Sequence, residues 1–275
     1  MLSRVPGALP VDGGGLGGGD ASTRAAPISD VTPPRPLPIK GKVLSAGVLG
    51  ALLLAACSAE PAEPAPQSEF PVAGRDVAPI VGDSFSTEDA RDRVGEAEAV
   101  IAFAGIRPGM SVADIGAGEG YYTVRLSRVV GPRGRVLAQD IVPAVRDRLA
   151  LRVNRENLAN VFVRLGLPED PKLPARGFDR IFLVHVYHEV VRPYEFLWHL
   201  RQGLKRGGLV VVVDADRPVK RHGTPPALLD CEFASVGLER VKEAPLEGSD
   251  AYMALFRAAR PLPKPAAIKP CALSG

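Results

Sequence analysis

The sequence predicts an α/β domain built on a three-layer, doubly wound sheet that is mostly parallel and has an antiparallel last strand. Two observations favour this class. Short apolar runs alternate with segments of helical periodicity from about Asp89 to Ala259, the pattern of strands connected by helices. In addition, Gly116-Ala117-Gly118-Glu119-Gly120 directly follows the first apolar run. A glycine-rich turn between a buried strand and a helix is typical of α/β folds that bind nucleotides.

The first half of the domain contains three predicted strands and two predicted helices. In order, they are a strand that ends near Ile115, a helix that follows Gly120, a strand from Arg135 to Ile141, a helix from Pro143 to Asn154 and a strand from Val161 to Leu165. Proline at the first position of the second helix is favourable, because the N–H that it lacks has no helical partner at that position.

The second half continues the alternation. It consists of a strand from Gly177 to Val184, a helix from Pro193 to Leu204, a strand from Leu209 to Val213, a helix from Pro226 to Val236 and a final strand pair from Glu239 to Ala259. The strand from Leu209 is almost entirely β-branched, as a strand buried on both faces requires. Before the core, Phe85 to Phe103 predicts one or two amphipathic helices that begin with a capping box at Ser86-Thr87-Glu88-Asp89.

The glycine turn and two acids point to a cationic ligand. The spacing is G-x-G-x-G, whereas dinucleotide-binding turns use G-x-G-x-x-G. Asp114, two residues before the first glycine, would repel a pyrophosphate and attract an ammonium group. Asp140 ends the second strand, where a carboxylate can accept hydrogen bonds from ribose hydroxyls. The spacing and Asp114 therefore disfavour a nicotinamide oxidoreductase.

The segment Val112-Ala113-Asp114-Ile115-Gly116-Ala117-Gly118-Glu119-Gly120 resembles the first motif of the class I S-adenosylmethionine-dependent methyltransferases, (D/E)-x-G-x-G-x-G. Lys205-Arg206-Gly207-Gly208 resembles the K-P-G-G that this family carries before its fifth strand. The resemblance implies a Rossmann-like sheet, S-adenosyl-L-methionine as cofactor and a small-molecule substrate. It implies that the cofactor contacts Asp114, Gly116, Ala117, Gly118, Gly120, Asp140, Ile141 and Gly166.

One family feature is missing. The family often has an acid after a glycine at the end of the third strand, where it binds the adenine amino group. Here Gly166 is followed by Leu167 and Pro168. Glu169 or Asp170, slightly farther along the loop, is the candidate replacement.

The resemblance places the transferred methyl group near the end of the fourth strand, so His185, Tyr187 and His188 are the catalytic candidates. The alternative is that alternate members of this run pack inward while His188 and Glu189 cap the next helix. His185-x-x-His188-Glu189 lacks the spacing of an established zinc motif, so no metal is expected. Polar residues after the fifth strand are candidate substrate contacts; they are Asp214, Asp216, Arg217 and His222.

The chain outside the domain predicts export. Residues 1–39 are expected to be disordered, and residues 40–57 resemble a bacterial lipoprotein signal peptide that ends in Leu54-Ala55-Ala56-Cys57. Residues 58–81 are then a tether, residues 82–260 the domain and residues 261–275 a disordered tail. The expected location is a membrane, facing the periplasm or the exterior, with a lipid on Cys57; the alternative is the cytoplasm if the signal is not used. Cys231 and Cys271 do not suggest a disulfide framework.

Composition limits the remaining functions. The net charge of +3 over 275 residues is too small to indicate nucleic-acid binding. Export separates the domain from the cytosol, where S-adenosylmethionine is made. The sequence therefore leaves two functions open, namely a small-molecule methyltransferase and a non-catalytic ligand-binding lipoprotein that keeps the methyltransferase fold.

Overall fold

The computed structural model of the chain describes residues 68–80 and 87–272, all within one compact unit, Ala62–Gly275. The predicted extension, signal peptide and Cys57 lie outside the described residues. None of the helices in the described ranges is both long and apolar enough to cross a membrane.

Six α-helices and seven strands make up the described part of the domain. The helices are α1 (Glu88–Arg93), α2 (Glu96–Ala104), α3 (Tyr121–Val130), α4 (Pro143–Arg155), α5 (Pro193–Gln202) and α6 (Pro226–Ser235). The strands are β1 (Ser111–Ile115), β2 (Arg135–Asp140), β3 (Val161–Leu165), β4 (Phe178–Val184), β5 (Leu204–Ala215), β6 (Leu238–Pro245) and β7 (Ala251–Ala258). Single 3-10 turns follow β4 at Tyr187–Glu189 and β5 at Val219–Arg221.

The strands form one sheet in the order β3-β2-β1-β4-β5-β7-β6. The first five strands in this order pair in parallel, and β7 pairs antiparallel with both β5 and β6. The strand order reverses direction at β1 and β4, which is the point where doubly wound sheets bind ligands beyond the carboxyl ends of their strands. The predicted fold class is confirmed.

Alternating side chains along the central strands bury the sheet on both faces. On β5, Val210 and Val212 pack against α5 and α6, whereas Val211 and Val213 pack toward α2 and α3. All four are completely buried. The β-branched run thus supplies both cores at once, as the sequence pattern predicted.

Predicted boundaries differ from the observed ones at the start of α1 and between α5 and β5. The N-cap of α1 is Thr87, one residue after the predicted Ser86, and its Oγ1 accepts a hydrogen bond from the Ala90 N–H at 3.2 Å. Ala90 stands at N3 and has no side-chain oxygen, so the reciprocal half of the predicted capping box is not formed. Helix α5 ends at Gln202, and β5 begins at Leu204. The 205–208 segment was expected to close the helix, but it joins the strand because Phe178 pairs with Leu204 across a register shift.

An N-terminal strap, residues 68–80, packs against the domain. Phe70 makes an edge contact with the Trp198 ring, the two ring centroids lying 5.6 Å apart. The Arg75 Nε donates to the buried carboxylate of Glu232 at 2.8 Å, and the Ala78 N–H donates to the His188 carbonyl at 3.0 Å. The prediction of a free tether up to residue 81 is therefore wrong for residues 68–80, because an aromatic contact and buried polar contacts hold the strap in place.

The C-terminal segment from residue 261 to 272 also packs on the domain. Ile268 is buried, and the Trp198 Nε1–H donates to the Pro263 carbonyl at 2.9 Å. Cys271 forms a disulfide with Cys231 of α6, and its N–H donates to the Tyr194 hydroxyl at 2.7 Å. Both the disordered tail and the absence of a disulfide were wrong predictions for these residues. Sequence spacing carries no information about which distant cysteines the fold brings together.

Candidate functional site

The glycine turn after β1 has a backbone that other residues do not readily adopt. Gly116, Gly118 and Gly120 have φ values of 67°, 56° and 96°. A Cβ on Gly116 would lie 2.6 Å from the Val186 side chain, and one on Gly120 would lie 2.6 Å from Leu149. The turn therefore needs glycine both for its conformation and for the space that its neighbours occupy.

Asp140 connects this turn to the end of β2. Its Oδ2 accepts a hydrogen bond from the Gly118 N–H at 3.1 Å, and its Oδ1 accepts one from the Val142 N–H at 2.9 Å. An ionised carboxylate has about four acceptor positions, so two remain for ligand hydroxyls. Asp140 thus shapes the glycine turn and presents acceptors to the same cavity.

Asp114 lies at the end of β1, on the wall of the same cavity. Burial raises the pKa of its carboxyl to about 6, while the hydrogen bond from the Thr123 hydroxyl, at 2.6 Å, acts in the opposite direction. A carboxyl with this pKa gains little from its present neighbours when it is ionised. A bound cation would stabilise the ionised form, so the position suits a ligand with a positive charge.

One cavity of about 760 Å³ lies at the carboxyl ends of β1, β2, β4 and β5. Its volume is that of a site for a ligand of cofactor size. Six of the eight cofactor residues predicted from the sequence line this cavity; they are Asp114, Gly116, Ala117, Gly118, Asp140 and Ile141. The predicted residues thus share one cavity wall, and the carboxylate acceptors on it suit a ligand with an ammonium group and hydroxyls.

The other two predicted cofactor residues are not among the described residues on that wall. Gly120 is buried against Leu149, and the Cβ position of Gly166 is occupied by the Gln139 side chain. Both glycines make room for protein side chains at their Cβ positions. Glu169 and Asp170 are not on the wall either, and Asp170 instead accepts the Lys172 N–H at 2.7 Å. The expected replacement for the adenine-binding acid is therefore not supported.

The three catalytic candidates after β4 do not all face the cavity. His185 and His188 line the cavity. Tyr187 is completely buried, and its hydroxyl donates to Glu232 at 2.7 Å on the other side of the sheet. Tyr187 is therefore a core residue, and its prediction as a catalytic residue is wrong. The 3-10 turn causes this separation, because successive side chains point in different directions there.

His188 is held by a chain of buried polar groups. Its Nδ1 lies 2.9 Å from Asp214 Oδ1, and Asp214 Oδ2 accepts from the Thr224 hydroxyl at 2.7 Å. Tyr252 donates in turn to the Thr224 carbonyl at 2.7 Å. Asp214 is completely buried, so it acts on a ligand only through His188. Of the other candidate substrate contacts, Arg217 and His222 line the cavity.

His185 lies close to Glu96 and Arg91, two residues that were not predicted as part of the site. Its Nε2 lies 3.4 Å from Glu96 Oε1, and Glu96 also accepts hydrogen bonds from Arg91 and from the Tyr122 hydroxyl. Burial favours the neutral form of Glu96, but the hydrogen bonds from His185 and Arg91 outweigh it and lower the pKa to about 2. Glu96 and Arg91 were missed because they come from the helices before the core, where no motif marks them.

The fold and the site together are similar to those of S-adenosylmethionine-dependent methyltransferases. Residues 113–212 match the family model described as "Methyltransferase domain". The ubiquinone/menaquinone biosynthesis C-methyltransferase UbiE of Pasteurella multocida is 28% identical over 173 residues, 60% of this chain and 61% of that protein. UbiE of Azotobacter vinelandii is 34% identical over 123 residues, 43% of this chain and 47% of that protein. The chain thus spans about half to three fifths of these curated relatives.

Solved structures share the fold. A SAM-dependent methyltransferase from Aquifex aeolicus superposes with a TM-score of 0.58 at 23% identity, covering 62% of this chain and 93% of that one. The cyclase SpnF superposes with a TM-score of 0.55 at 14% identity, covering 69% of this chain and 88% of that one. SpnF is named as a cyclase, so the shared fold does not identify the reaction, which has to be inferred from the site.

Proposed function

We propose that the protein transfers the methyl group of S-adenosylmethionine to a small molecule that enters the cavity beside His185 and His188. The observation that carries the proposal is the joint placement of Asp114 and Asp140 on one cavity wall, next to the glycine turn. The names of the curated relatives support the same class of reaction. When bound, the cofactor supplies an electrophilic methyl group on a positively charged sulfur.

The residues of this chain have three tasks in such a reaction. Asp140 accepts hydrogen bonds from the ribose hydroxyls, and Asp114 attracts the ammonium group. Tyr121 and Tyr122 are nearly fully buried on the cavity wall and keep water away from the reacting centre. An acceptor that arrives protonated needs a group to take its proton, and an imidazole can do so from the position of His185 or His188.

Calorimetry of the chain with S-adenosylhomocysteine tests cofactor binding. The proposal predicts one binding site, and no binding by a folded protein contradicts it. Turnover with labelled S-adenosylmethionine and a panel of amine, hydroxyl, thiol and carboxylate acceptors then tests the reaction. Binding without any methylated product would favour the non-catalytic ligand-binding lipoprotein.

We also propose that the domain is exported and anchored by a lipid on Cys57. The lipoprotein motif at residues 54–57 supports this location, and so does the Cys231–Cys271 pair. Disulfides form and persist in oxidising compartments and are rare in the cytosol. Of the predicted tether, only residues 58–67 remain as a spacer, since the strap packs against the domain.

Cell fractionation tests this location. The wild-type protein is expected in the membrane fraction after a high-salt wash, with its mature chain starting at Cys57. Cys57→Ala is expected to lose the lipid and leave the domain folded. Wild-type protein in the cytosolic fraction, with residues before Cys57 attached and with Cys231 and Cys271 as free thiols, would contradict the proposal.

A further inference from the structure

Three side chains of the types that can bind metals converge on the cavity wall. His188, Glu189 and His222 each place one ligand atom within 4.8 Å of the other two, and all three line the cavity. We refer to them as the His–Glu–His cluster. His188 and Glu189 follow β4, and His222 follows β5, so the parallel pairing of β4 with β5 brings them together.

Asp214 holds the first ligand of this cluster in a defined orientation. Its carboxylate is completely buried and lies 2.9 Å from His188 Nδ1, which leaves Nε2 as the nitrogen available to a ligand. The same carboxylate accepts the Ala215 N–H at 2.8 Å and the Thr224 hydroxyl at 2.7 Å. A carboxylate behind a histidine is the usual arrangement in metal sites, because it fixes the tautomer and makes the other nitrogen a better ligand.

The backbone also holds the two histidines. The His188 carbonyl accepts a hydrogen bond from Ala78 of the strap at 3.0 Å. His222 has φ = 59°, and it is held there by its N–H bond to the Val219 carbonyl and by the Arg217 Nε, which donates to its carbonyl at 3.1 Å. Non-glycine residues kept in the left-handed region tend to cluster at functional sites. The two imidazole rings stand perpendicular, with centroids 5.5 Å apart.

We propose that His188, Glu189 and His222 bind one divalent transition-metal ion, with zinc as the best match to the donors. Two imidazoles and one carboxylate, with a fourth position open to a cavity, form one of the known ligand sets of catalytic zinc. Zn–N and Zn–O bonds of about 2.0–2.2 Å place tetrahedral ligand atoms about 3.3 Å apart, so the cluster must close slightly on binding. His188 is fixed by Asp214, so the closure falls on the partly buried side chains of Glu189 and His222.

The site goes beyond the spacing argument that predicted no metal. His185-x-x-His188-Glu189 contains only residues that are close along the chain, whereas His222 completes the cluster from a different loop. The ion would lie on the acceptor side of the cavity and favour acceptors with an oxygen or sulfur donor atom, a role that rests on the proposed function. Metal binding itself does not depend on methyl transfer. The competing hypothesis is that His188 and Asp214 act as a metal-free general base.

The test uses the full chain without a histidine tag, after treatment with a chelator and without cofactor. Titration with Zn²⁺ by calorimetry, and with Co²⁺ by visible absorption, is expected to give one ion per chain and the spectrum of a tetrahedral site. His222→Ala and Glu189→Gln are each expected to weaken binding by at least about tenfold, since each removes one of three ligands. His199→Ala is the matched control, because His199 is a histidine outside the cluster, and it is expected to bind like the wild type.

Circular dichroism of each variant checks that it is folded before binding is compared. Asp214→Asn gives a second test, with a loss of about 10- to 100-fold expected for a residue that supports a ligand. No stoichiometric binding by the wild type would overturn the proposal, as would equal affinity in the wild type, His222→Ala and Glu189→Gln. Calorimetry with S-adenosylhomocysteine on the same metal-free sample shows separately whether the proposed function fails.

Discussion

Asp140→Ala is expected to weaken the binding of S-adenosylhomocysteine and to loosen the glycine turn at the same time. The carboxylate accepts hydrogen bonds from the Gly118 and Val142 N–H groups at 3.1 and 2.9 Å, and it has acceptor positions left for the ribose. A hydrogen bond to a charged group contributes about 1.5–3 kcal/mol, so the loss in affinity should be about 10- to 150-fold. The free energy of unfolding should fall by about 1–3 kcal/mol, because two backbone donors lose their acceptor.

Asp140→Asn separates the two effects. The amide keeps one acceptor oxygen but places an NH₂ group against the second backbone donor, so both affinity and stability should lie between those of the wild type and Asp140→Ala. Asp147→Ala is the matched control. It removes the same charge from an exposed carboxylate on α4 that pairs with Arg146 at 2.8 Å, outside the cavity wall.

Isothermal titration calorimetry measures the affinities, and urea denaturation measures the free energies of unfolding. The result that would refute the reasoning is an Asp140→Ala protein that is folded and binds S-adenosylhomocysteine within twofold of the wild type. A loss of the same size in Asp147→Ala would also refute it, because the effect would then be one of net charge.

Three further predictions concern packing, the disulfide and pH. Gly116→Ala should destabilise the fold by about 2–4 kcal/mol in urea denaturation, since strain at positive φ adds to overpacking. Gly95→Ala, at φ = 64° and ψ = 30° but in open space, should cost only about 1–2 kcal/mol, and equal costs would contradict the packing argument. Cys231→Ser opens a disulfide with a sequence separation of 40 and should lower stability by about 3–4 kcal/mol, and an unchanged melting temperature under non-reducing conditions would show that the bond does not form. Since burial raises the pKa of Asp114 from 3.8 to about 6, the affinity for S-adenosylhomocysteine should rise as pH increases through 6 and stay flat in Asp114→Asn. In the unfolded chain the Asp114 carboxyl ionises at a lower pH than in the folded one, so the free energy of unfolding should fall as pH rises from about 4 to 6. The assignment would be contradicted if affinity and stability depended on pH in the wild type as they do in Asp114→Asn.

Much of the fold could be predicted because the signals are local. The β-branched run on β5 and the glycines after β1 each restrict the backbone within a few residues. The first motif placed Asp114 on the first strand, and the second predicted strand ended in Asp140. Parallel pairing brings the ends of these neighbouring strands to one edge. For this reason six of the eight predicted cofactor residues line one cavity wall.

The wrong prediction at the end of β4 concerned the direction of a side chain and not the position of the residue in the fold. Tyr187 and His188 are adjacent, yet one points to Glu232 in the core and the other lines the cavity. Neither periodicity nor composition reports the direction of side chains in a single 3-10 turn. The same limit applies to Gly166, whose missing Cβ makes room for the Gln139 side chain.

The sequence by itself determined the fold class, the order of the strands along the chain and the place of the cofactor turn, because these follow from short-range backbone preferences and hydrophobic alternation. Only the tertiary structure decided which distant groups meet. It paired Cys231 with Cys271, attached the strap beside His188 and brought His222 to Glu189. These contacts join residues that are far apart along the chain, and forming them has to offset the entropy of closing long loops. Local sequence patterns report only on residues that are near one another, so they do not show which distant contacts form.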